Sequence, residues 1–370
     1  LKVIMLINTL CKGGAERVVT DLFNRFHNEG YPCDLVTLES VKDNPYTLSK
    51  NNIHTLSNSS TNRGIINFIK LPILAFRLSK LIKNNNVNVV QSHLYRANYV
   101  NILAKILFRS KHKAQIFNHS ITSRFYNEGL SGKINLFLVK LLYKFADEIY
   151  GVSSRVNIDI NEVLPYTVNE MTKVISNPVS IKKAEMLGIV EPTKFIFSSN
   201  LKYICVVGRL IKIKRFNDVV SSMRFLPDNV NLIIIGDGPE HESIKNLASN
   251  LGLLDRVHFV GWVNNPYSFI SRCLCLVCSS ESESFGNVII ESYACGVPVI
   301  SSRCGGPEEI IDDEFGLLFD IGNVKQLSDN IKIYLNNEEV RLEHINSSKD
   351  KISKYDEDVV FDEYKKALFR

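Results

Sequence analysis

The chain has 370 residues, 45% of them hydrophobic and 22% charged, and a formal net charge of +5. That length exceeds one ordinary domain and suits two, and the composition excludes a disordered or low-complexity chain. The longest apolar stretch, Ile65–Ile82, is interrupted by Lys70, Pro72, Arg77 and Lys80, so no membrane-spanning helix is expected.

In chain order, Lys2–Asn8 reads as a continuous apolar strand. It is too short for the apolar core of a signal peptide and leads to Gly-Gly rather than a small-residue cleavage site, so a cytoplasmic protein is expected. Ala15–Glu29 follows as an amphipathic helix, with Val18, Val19, Leu22 and Phe26 at helical spacing. Further strands are expected at Asp34–Leu38, Val87–Ser92, Gln115–His119, Glu148–Val152 and Lys173–Ile175. Helices are expected at Ile65–Lys83, Asn98–Phe108 and Lys133–Phe145.

The second half repeats the rhythm. Strands are expected at Tyr203–Val207, Asn231–Ile235, Val257–Val260, Leu274–Cys278, Val297–Ser301 and, briefly, Gly316–Phe319. Helices fill the gaps at Asn217–Arg224, His241–Leu251, Pro266–Ser271 and Asn287–Ala294, and Asp356–Arg370 is a final helix. Short apolar strands alternating with helices mark parallel sheets covered on both faces. Two α/β domains in tandem are therefore expected, 1–177 and 178–355, joined near Asn177, with 180–200 an irregular polar linker. Ligands of such sheets bind beyond the carboxyl ends of strands.

Eight cysteines are present, and Cys273-x-Cys275-x2-Cys278 comes closest to a ligand cluster. It sits in an apolar strand with no second cluster at zinc spacing, so core packing and a reducing compartment are the expectation. Charge is unevenly spread. From Asn44 to Asn127 there are twelve Lys and Arg and no Asp or Glu, which points to an anionic partner for the first half. Within it, the helix around Arg63–Lys83 combines an apolar body with Lys70, Arg77, Lys80 and Lys83. That pattern suits an anionic membrane surface, and equally a helix packed on its sheet with a solvated basic edge.

Three loops carry chemistry. Gly13-Gly14 lies between the first strand and its helix, where backbone can approach a phosphate or sugar, or merely turn tightly. The three-glycine spacing of a dinucleotide site is missing. Arg209 leaves a strand end and Lys214 precedes the next helix, so both can point at one anion, or lie in a solvated basic loop. In Ser279–Glu291, the amides of Phe285, Gly286, Asn287 and Val288 open a helix and suit a diphosphate. Glu283 and Glu291 flank that helix start, as acceptors for vicinal hydroxyls or as caps.

Glu283-x7-Glu291, with Tyr293-Ala294-Cys295-Gly296-Val297-Pro298 after it, resembles the signature of glycosyltransferase family four, retaining enzymes of GT-B fold. Gly208-Arg209-Leu210, Gly236-Asp237-Gly238-Pro239, Phe259-Val260-Gly261-Trp262-Val263 and Gly305-Gly306-Pro307-Glu308-Glu309 match in order, and Gly13-Gly14-Ala15-Glu16 matches the N-terminal loop. Ser284 departs from the family's usual glycine. The resemblance implies two Rossmann-like domains facing across a cleft, with the last helix packing back on the first. It places Arg209 and Lys214 on the donor's β-phosphate, Glu291 on the ribose, Glu283 on the transferred sugar, and Gly261–Val263 beside the base. His119 is implied at the transferred sugar, with His93 as its rival.

Charge on the leaving diphosphate would then be met by Arg209, Lys214 and the helix terminus, the kind of preorganised stabilisation that dominates catalysis. No metal or other cofactor is expected, on the reading that no Asp-x-Asp motif is present to bind one. The implied substrates are a nucleotide diphosphate sugar, UDP by the family's usage, and a lipid-linked glycan acceptor met at the inner face of the cell membrane. Alternatives are a nucleotide-sugar epimerase, a transferase with a soluble acceptor, or a nucleic-acid-binding protein using the basic first half. The last leaves the paired carboxylates unexplained and lacks a basic-aromatic stacking motif, so no nucleic acid partner is expected.

Overall fold

The computed structural model describes residues 1–369 apart from 12, 41–51, 59–65, 194 and 312–313, and for Ile66 and Asn67 the backbone alone. The chain divides into two compact units, Leu1–Asn177 with Phe361–Arg370, and Pro178–Val360.

The first unit is built on β1 (Val3–Ile7), β2 (Cys33–Thr37), β3 (Ile53–Thr55), β4 (Val89–His93), β5 (Lys113–Asn118), β6 (Glu148–Gly151) and β7 (Thr172–Val174). They form one parallel sheet in the order β3-β2-β1-β4-β5-β6-β7. Every residue of β1 is buried, as a strand covered on both faces requires. Its helices are α1 (Gly14–Asn28), α2 (Ile66–Ile69), α3 (Leu71–Asn84), α4 (Tyr95–Leu107), α5 (Gly129–Leu142) and α6 (Ser154–Val163).

Two expectations change here. The helix expected over Ile65–Lys83 is interrupted at Lys70, because Pro72 sits in the first turn of α3, where its missing N–H is tolerated and its ring starts a new helix. Its start at Ile65, with Arg63, lies outside the described residues. The edge strand β3 and helix α6, which Ser153 caps by accepting from the Val156 amide, were not anticipated.

The second unit contains β8 (Lys202–Val207), β9 (Val230–Ile235), β10 (Val257–Gly261), β11 (Cys275–Cys278), β12 (Val299–Ser302) and β13 (Leu317–Phe319). Their order is β10-β9-β8-β11-β12-β13, again parallel. Around them lie α7 (Ile181–Gly188), α8 (Phe216–Ser222), α9 (His241–Asn250), α10 (Tyr267–Ile270), α11 (Asn287–Ala294), α12 (Gly306–Ile310), α13 (Val324–Asn336) and α14 (Glu338–Ser353). Helix α7 occupies the stretch expected to be irregular, and buries Ala184 and Gly188. Cys273, Cys275 and Cys278 are all buried, the last two within β11.

The final helix, α15 (Glu357–Phe369), ends in the first unit. There the rings of Phe361 and Phe369 lie 4.5 and 5.5 Å from that of Phe26, and Gln115 donates to the Ala367 carbonyl at 2.7 Å. In each sheet the strand order reverses once, between β1 and β4 and between β8 and β11. Those reversals open the crevice where α/β sheets hold ligands.

Candidate active site

In the second unit, the candidate residues gather at the β8/β11 reversal. Gly208–Leu210 leaves β8 and is pinned by the neighbouring glycine loop: Leu210 donates to the Asp237 carbonyl at 3.0 Å, and Glu240 to that of Leu210 at 3.0 Å. A Cβ on Gly236 would sit 1.9 Å from the Gly208 carbonyl oxygen, so this loop must be glycine. Arg209 is exposed, and its side chain forms no ion pair among the described residues. The nearby Arg215 is spent on Asp218, at 2.7 Å.

Expected on separate parts of a donor, Lys214 and Glu283 instead meet each other as an ion pair. Each side chain is only about a quarter exposed. Burial pushes the Lys214 ammonium towards losing its proton, but the adjoining Glu283 carboxylate, together with the Cys278 and Cys304 sulfurs, holds its pKa above the ordinary value. Ser280 also donates to the Glu283 carboxylate, at 3.3 Å. The two loops are stitched together by Ser279 donating to the Lys214 carbonyl at 2.7 Å and Glu281 to that of Ile213 at 2.7 Å. Glu283 is fixed on its other side as well. Its amide donates to the Cys304 carbonyl at 3.0 Å, and its carbonyl accepts from Gly306 at 2.8 Å.

Helix α11 starts beside this pair. Gly286 is its N-cap at φ 107° and brings no side chain of its own to the end, so the helix dipole and the amides around Gly286, Asn287 and Val288 form its positive terminus, with Phe285 buried just before it. Ser284 is absent from the described non-glycine residues with positive φ, so the family's usual glycine is dispensable there. A Cβ on Gly306 would meet the Phe285 nitrogen at 2.5 Å, which explains the glycine that opens α12.

Glu291, 7% exposed, accepts from the Tyr267 hydroxyl at 3.0 Å. Tyr267 thus orients a carboxylate expected to hold a ribose, a role nothing local to either residue signals. Gly261 ends β10 and its carbonyl accepts from the Gly236 amide at 2.9 Å, which ties the Gly261–Val263 loop to the loop beside Arg209. The chain does contain one Asp-x-Asp spelling, Asp356-Glu357-Asp358. It caps α15, with the Asp356 carboxylate accepting from the Asp358 amide at 3.1 Å. A cavity of about 1030 Å³ in this unit lies at the far end of α11, around Tyr293, Cys295 and Arg272, and contains none of the candidate residues.

In the first unit, Gly13 and Gly14 begin α1 after β1, with Gly13 in extended backbone at the N-cap. His93 and His119, expected as rivals, are partners: His93 Nδ1 lies 2.9 Å from His119 Nε2. His93 is wholly buried and its Nε2 has no hydrogen-bond partner among the described residues, whereas His119 keeps some surface. Burial lowers His119 to about 4 and, with the neighbouring His119 ring, takes His93 well below its ordinary value, so both rings are neutral near pH 7. Leu94, immediately after His93, has φ 74°, a strained backbone for a leucine. A buried polar network beneath the pair was not legible in advance. Ser92 donates to Asn98 at 2.9 Å, and Asn101 to the Gln115 carbonyl at 3.1 Å.

The acid-free stretch is not acid-free in space. Arg96 pairs with Glu39 at 3.0 Å, Lys105 with Asp147 at 2.6 Å, Lys113 with Glu148 at 2.9 Å and Arg124 with Glu128 at 3.5 Å. Lys50 and Arg63 lie outside the described residues. Of the four cations expected at a membrane, Arg77 donates to the Leu56 carbonyl and Lys80 covers the Phe76 ring at 4.6 Å, while Lys83 is exposed and Lys70 half-buried. The stretch therefore offers an anionic partner fewer cations than its composition suggested. No described helix is long and apolar enough to cross a membrane.

Residues 12–183 match the family model described as Glycosyltransferase Family 4, and residues 191–351 that of Glycosyl transferases group 1. The chain is 29% identical over 364 residues, 95% of each chain, to N-acetylgalactosamine-N,N'-diacetylbacillosaminyl-diphospho-undecaprenol 4-alpha-N-acetylgalactosaminyltransferase of Campylobacter jejuni. It is 25% identical over 306 residues, 80% of each chain, to that organism's N,N'-diacetylbacillosaminyl-diphospho-undecaprenol alpha-1,3-N-acetylgalactosaminyltransferase. Its fold matches that of Anabaena HepE, solved with UDP, at a TM-score of 0.80 and 19% identity over 100% of this chain and 99% of that one. With the two models matching nearly its whole length in tandem, and the loops of the signature gathered at one strand reversal, the chain belongs to the glycosyltransferases of family four and has their GT-B fold.

Proposed function

We propose that this transferase moves an N-acetylhexosamine or hexose from a UDP-sugar, with retention and without a metal, onto a lipid-linked diphosphate glycan during surface-polysaccharide assembly at the inner face of the cell membrane. The observation that carries the reading is the arrangement at the β8/β11 reversal. Arg209, which forms no ion pair among the described residues, the Lys214–Glu283 ion pair, the glycine-opened N-terminus of α11 and a Glu291 bonded by Tyr267 stand there together. The relatives whose names specify undecaprenyl-diphosphate acceptors support the acceptor class.

In this reading the diphosphate takes the helix terminus, Arg209 and the Lys214 ammonium. Glu283 turns its carboxylate to the sugar hydroxyls, and Glu291 accepts from the ribose while Tyr267 holds it. Gly13 and Gly14 give backbone access to the donor, and neutral His119, backed by His93, meets the transferred sugar. The bond from anomeric carbon to diphosphate oxygen breaks, and the acceptor hydroxyl oxygen bonds to the same face. Its proton passes to the departing phosphate oxygen, whose growing charge the fixed cations stabilise.

A thermal-shift screen of nucleotide sugars, followed by product analysis on lipid-diphosphate acceptors, tests the reading. Stabilisation by a UDP-sugar and a lipid-linked product formed equally well with EDTA support it. Failure of every nucleotide sugar to bind, or a strict metal requirement, overturns it. Salt-dependent attachment to anionic liposomes through Lys70, Arg77, Lys80 and Lys83 is part of the same proposal. Weaker sedimentation when all four become Gln is the expected result.

A further inference from the structure

We infer that α5 is a membrane-inserting helix, which lays an outward apolar stripe into the headgroup region of an anionic bilayer. The inference deepens the lipid-linked acceptor reading and rests on it for its purpose, while its physical basis is α5 itself.

Helix α5 is apolar on two opposite faces. Its inner face buries Gly132, Leu136, Val139 and Leu142. Its outer face carries Leu130, Ile134, Phe137 and Leu141 at spacings of four, three and four, which place them on one side of an α-helix. Leu130 and Phe137 are each 63% exposed and Leu141 43%. The stripe continues past the helix end in Phe145, 41% exposed, and Tyr126 stands beside it at 58%. Single exposed apolar residues are ordinary on protein surfaces, but a contiguous stripe marks a site of interaction.

The charges around the stripe select the occupant. From Gly129 to Ala146 there is no Asp or Glu, and Lys133, Lys140 and Lys144 flank the apolar residues. None of the three forms an ion pair among the described residues. Lys140 lies 5.8 Å from the Tyr126 ring and Lys144 5.2 Å from that of Phe145, so cations border aromatic rings. Apolar side chains edged by aromatics and lysines suit the boundary between acyl chains and anionic headgroups.

A neighbouring surface has the same character. Helix α4 contacts both α3 and α5, and Ile69, Ile73 and Phe76, on or next to α3, are exposed like Leu107 and Phe108 at the end of α4. The cations named earlier on α3 are thus companions of an apolar surface, and attachment is not electrostatic alone.

The test uses flotation of the whole protein with phosphatidylglycerol-rich vesicles. Wild type is expected to bind at low salt and to stay partly bound at about 1 M salt, where screening acts over only about 3 Å. Leu130→Ser, Phe137→Ser and Leu141→Ser together should cut partitioning by about a thousandfold, since each large side chain withheld from lipid costs roughly tenfold. These positions are exposed, so the melting temperature should hold. Lys133→Gln, Lys140→Gln and Lys144→Gln together should weaken the preference over neutral vesicles. A Phe137→Trp variant should shift its emission to the blue on the same vesicles, with wild type as the Trp262 baseline. Complete release by salt with unchanged Phe137→Trp emission, or normal flotation of the triple Ser variant, overturns the inference. So does self-association through Phe137 without vesicles, seen by sedimentation velocity. Normal flotation without transfer to any lipid-diphosphate acceptor would instead sink the acceptor reading and leave the membrane surface standing.

Discussion

Replacing Lys214 by Met separates the two tasks assigned to the Lys214–Glu283 pair. The substitution leaves the Glu283 carboxylate without its cation in a site where each partner is about three-quarters covered. Stranding one member of a fully buried pair costs about 3–5 kcal/mol, and the remaining exposure reduces this to roughly 1–3 kcal/mol. Adding Glu283→Gln removes the stranded charge, so the double variant should recover most of that stability, while each change alone costs more than the two combined. Turnover should not recover. Loss of one fixed charge at a developing anion costs roughly 2.7–4 kcal/mol, or about 10²–10³ in rate, and the double variant also lacks the carboxylate for the sugar. Urea unfolding of the four proteins in a double-mutant cycle, with steady-state rates on the same samples, measures both. Additive stabilities would refute the pairing as an energetic unit, and a Lys214→Met rate within a few fold of wild type would refute its place in the chemistry.

Tyr267→Phe should leave the fold intact and weaken donor binding about tenfold, since it deletes the 3.0 Å hydrogen bond orienting Glu291, and bonds to charged groups contribute roughly 1.5–3 kcal/mol; calorimetry showing unchanged affinity would remove Tyr267 from the site. Gly306→Ala drives a Cβ to within 2.5 Å of the Phe285 nitrogen, so it should destabilise by about 1–3 kcal/mol and shift the start of α11; wild-type unfolding midpoint and turnover would contradict this. The buried histidines set a pH dependence. Burial lowers His119 and His112 to about 4 and His93 well below its ordinary value, so an unfolded chain takes up protons near pH 6.5 while the fold does not. Stability should therefore fall as pH drops from about 6.5 towards 4, by up to roughly 1.4 kcal/mol per unit per histidine, and these groups should add no slope above pH 7. Denaturant titrations showing stability rising on acidification over that interval would contradict the buried neutral pair.

The strands were legible because burial on both faces writes them as unbroken apolar runs, as in Val3–Ile7 and Val230–Ile235. The edge strand β3 was not, since Ile-His-Thr is too short and too polar to carry a period. Helix α14 shows little apolar period in its sequence, because two of the residues it buries, His344 and Ser348, are polar beside Ile345 and Ile352. Helix α13 did carry the signals, an Asn323 cap and buried Leu327, Ile331 and Tyr334 at helical spacing. In the site, what lies within one loop could be read: Glu283, the turn before α11 and Glu291. What the fold assembles from a distance could not. Lys214 meets Glu283 across 69 positions, Tyr267 meets Glu291 across 24, and His93 meets His119 across 26. The stripe on α5 escaped for another reason. A helix apolar on both faces reads as core, and only its burial pattern separates the packed side from the exposed one.

The central claim is that the second unit's donor site transfers a sugar with retained configuration, driven by fixed cations. NMR of the anomeric centre in the product formed from an α-linked UDP-sugar, with EDTA present throughout, tests it most directly. An α-linked product that disappears with Arg209→Ala and Glu291→Ala is the expected outcome. A β-linked product, or transfer that ceases with EDTA and returns with a divalent cation, would contradict it.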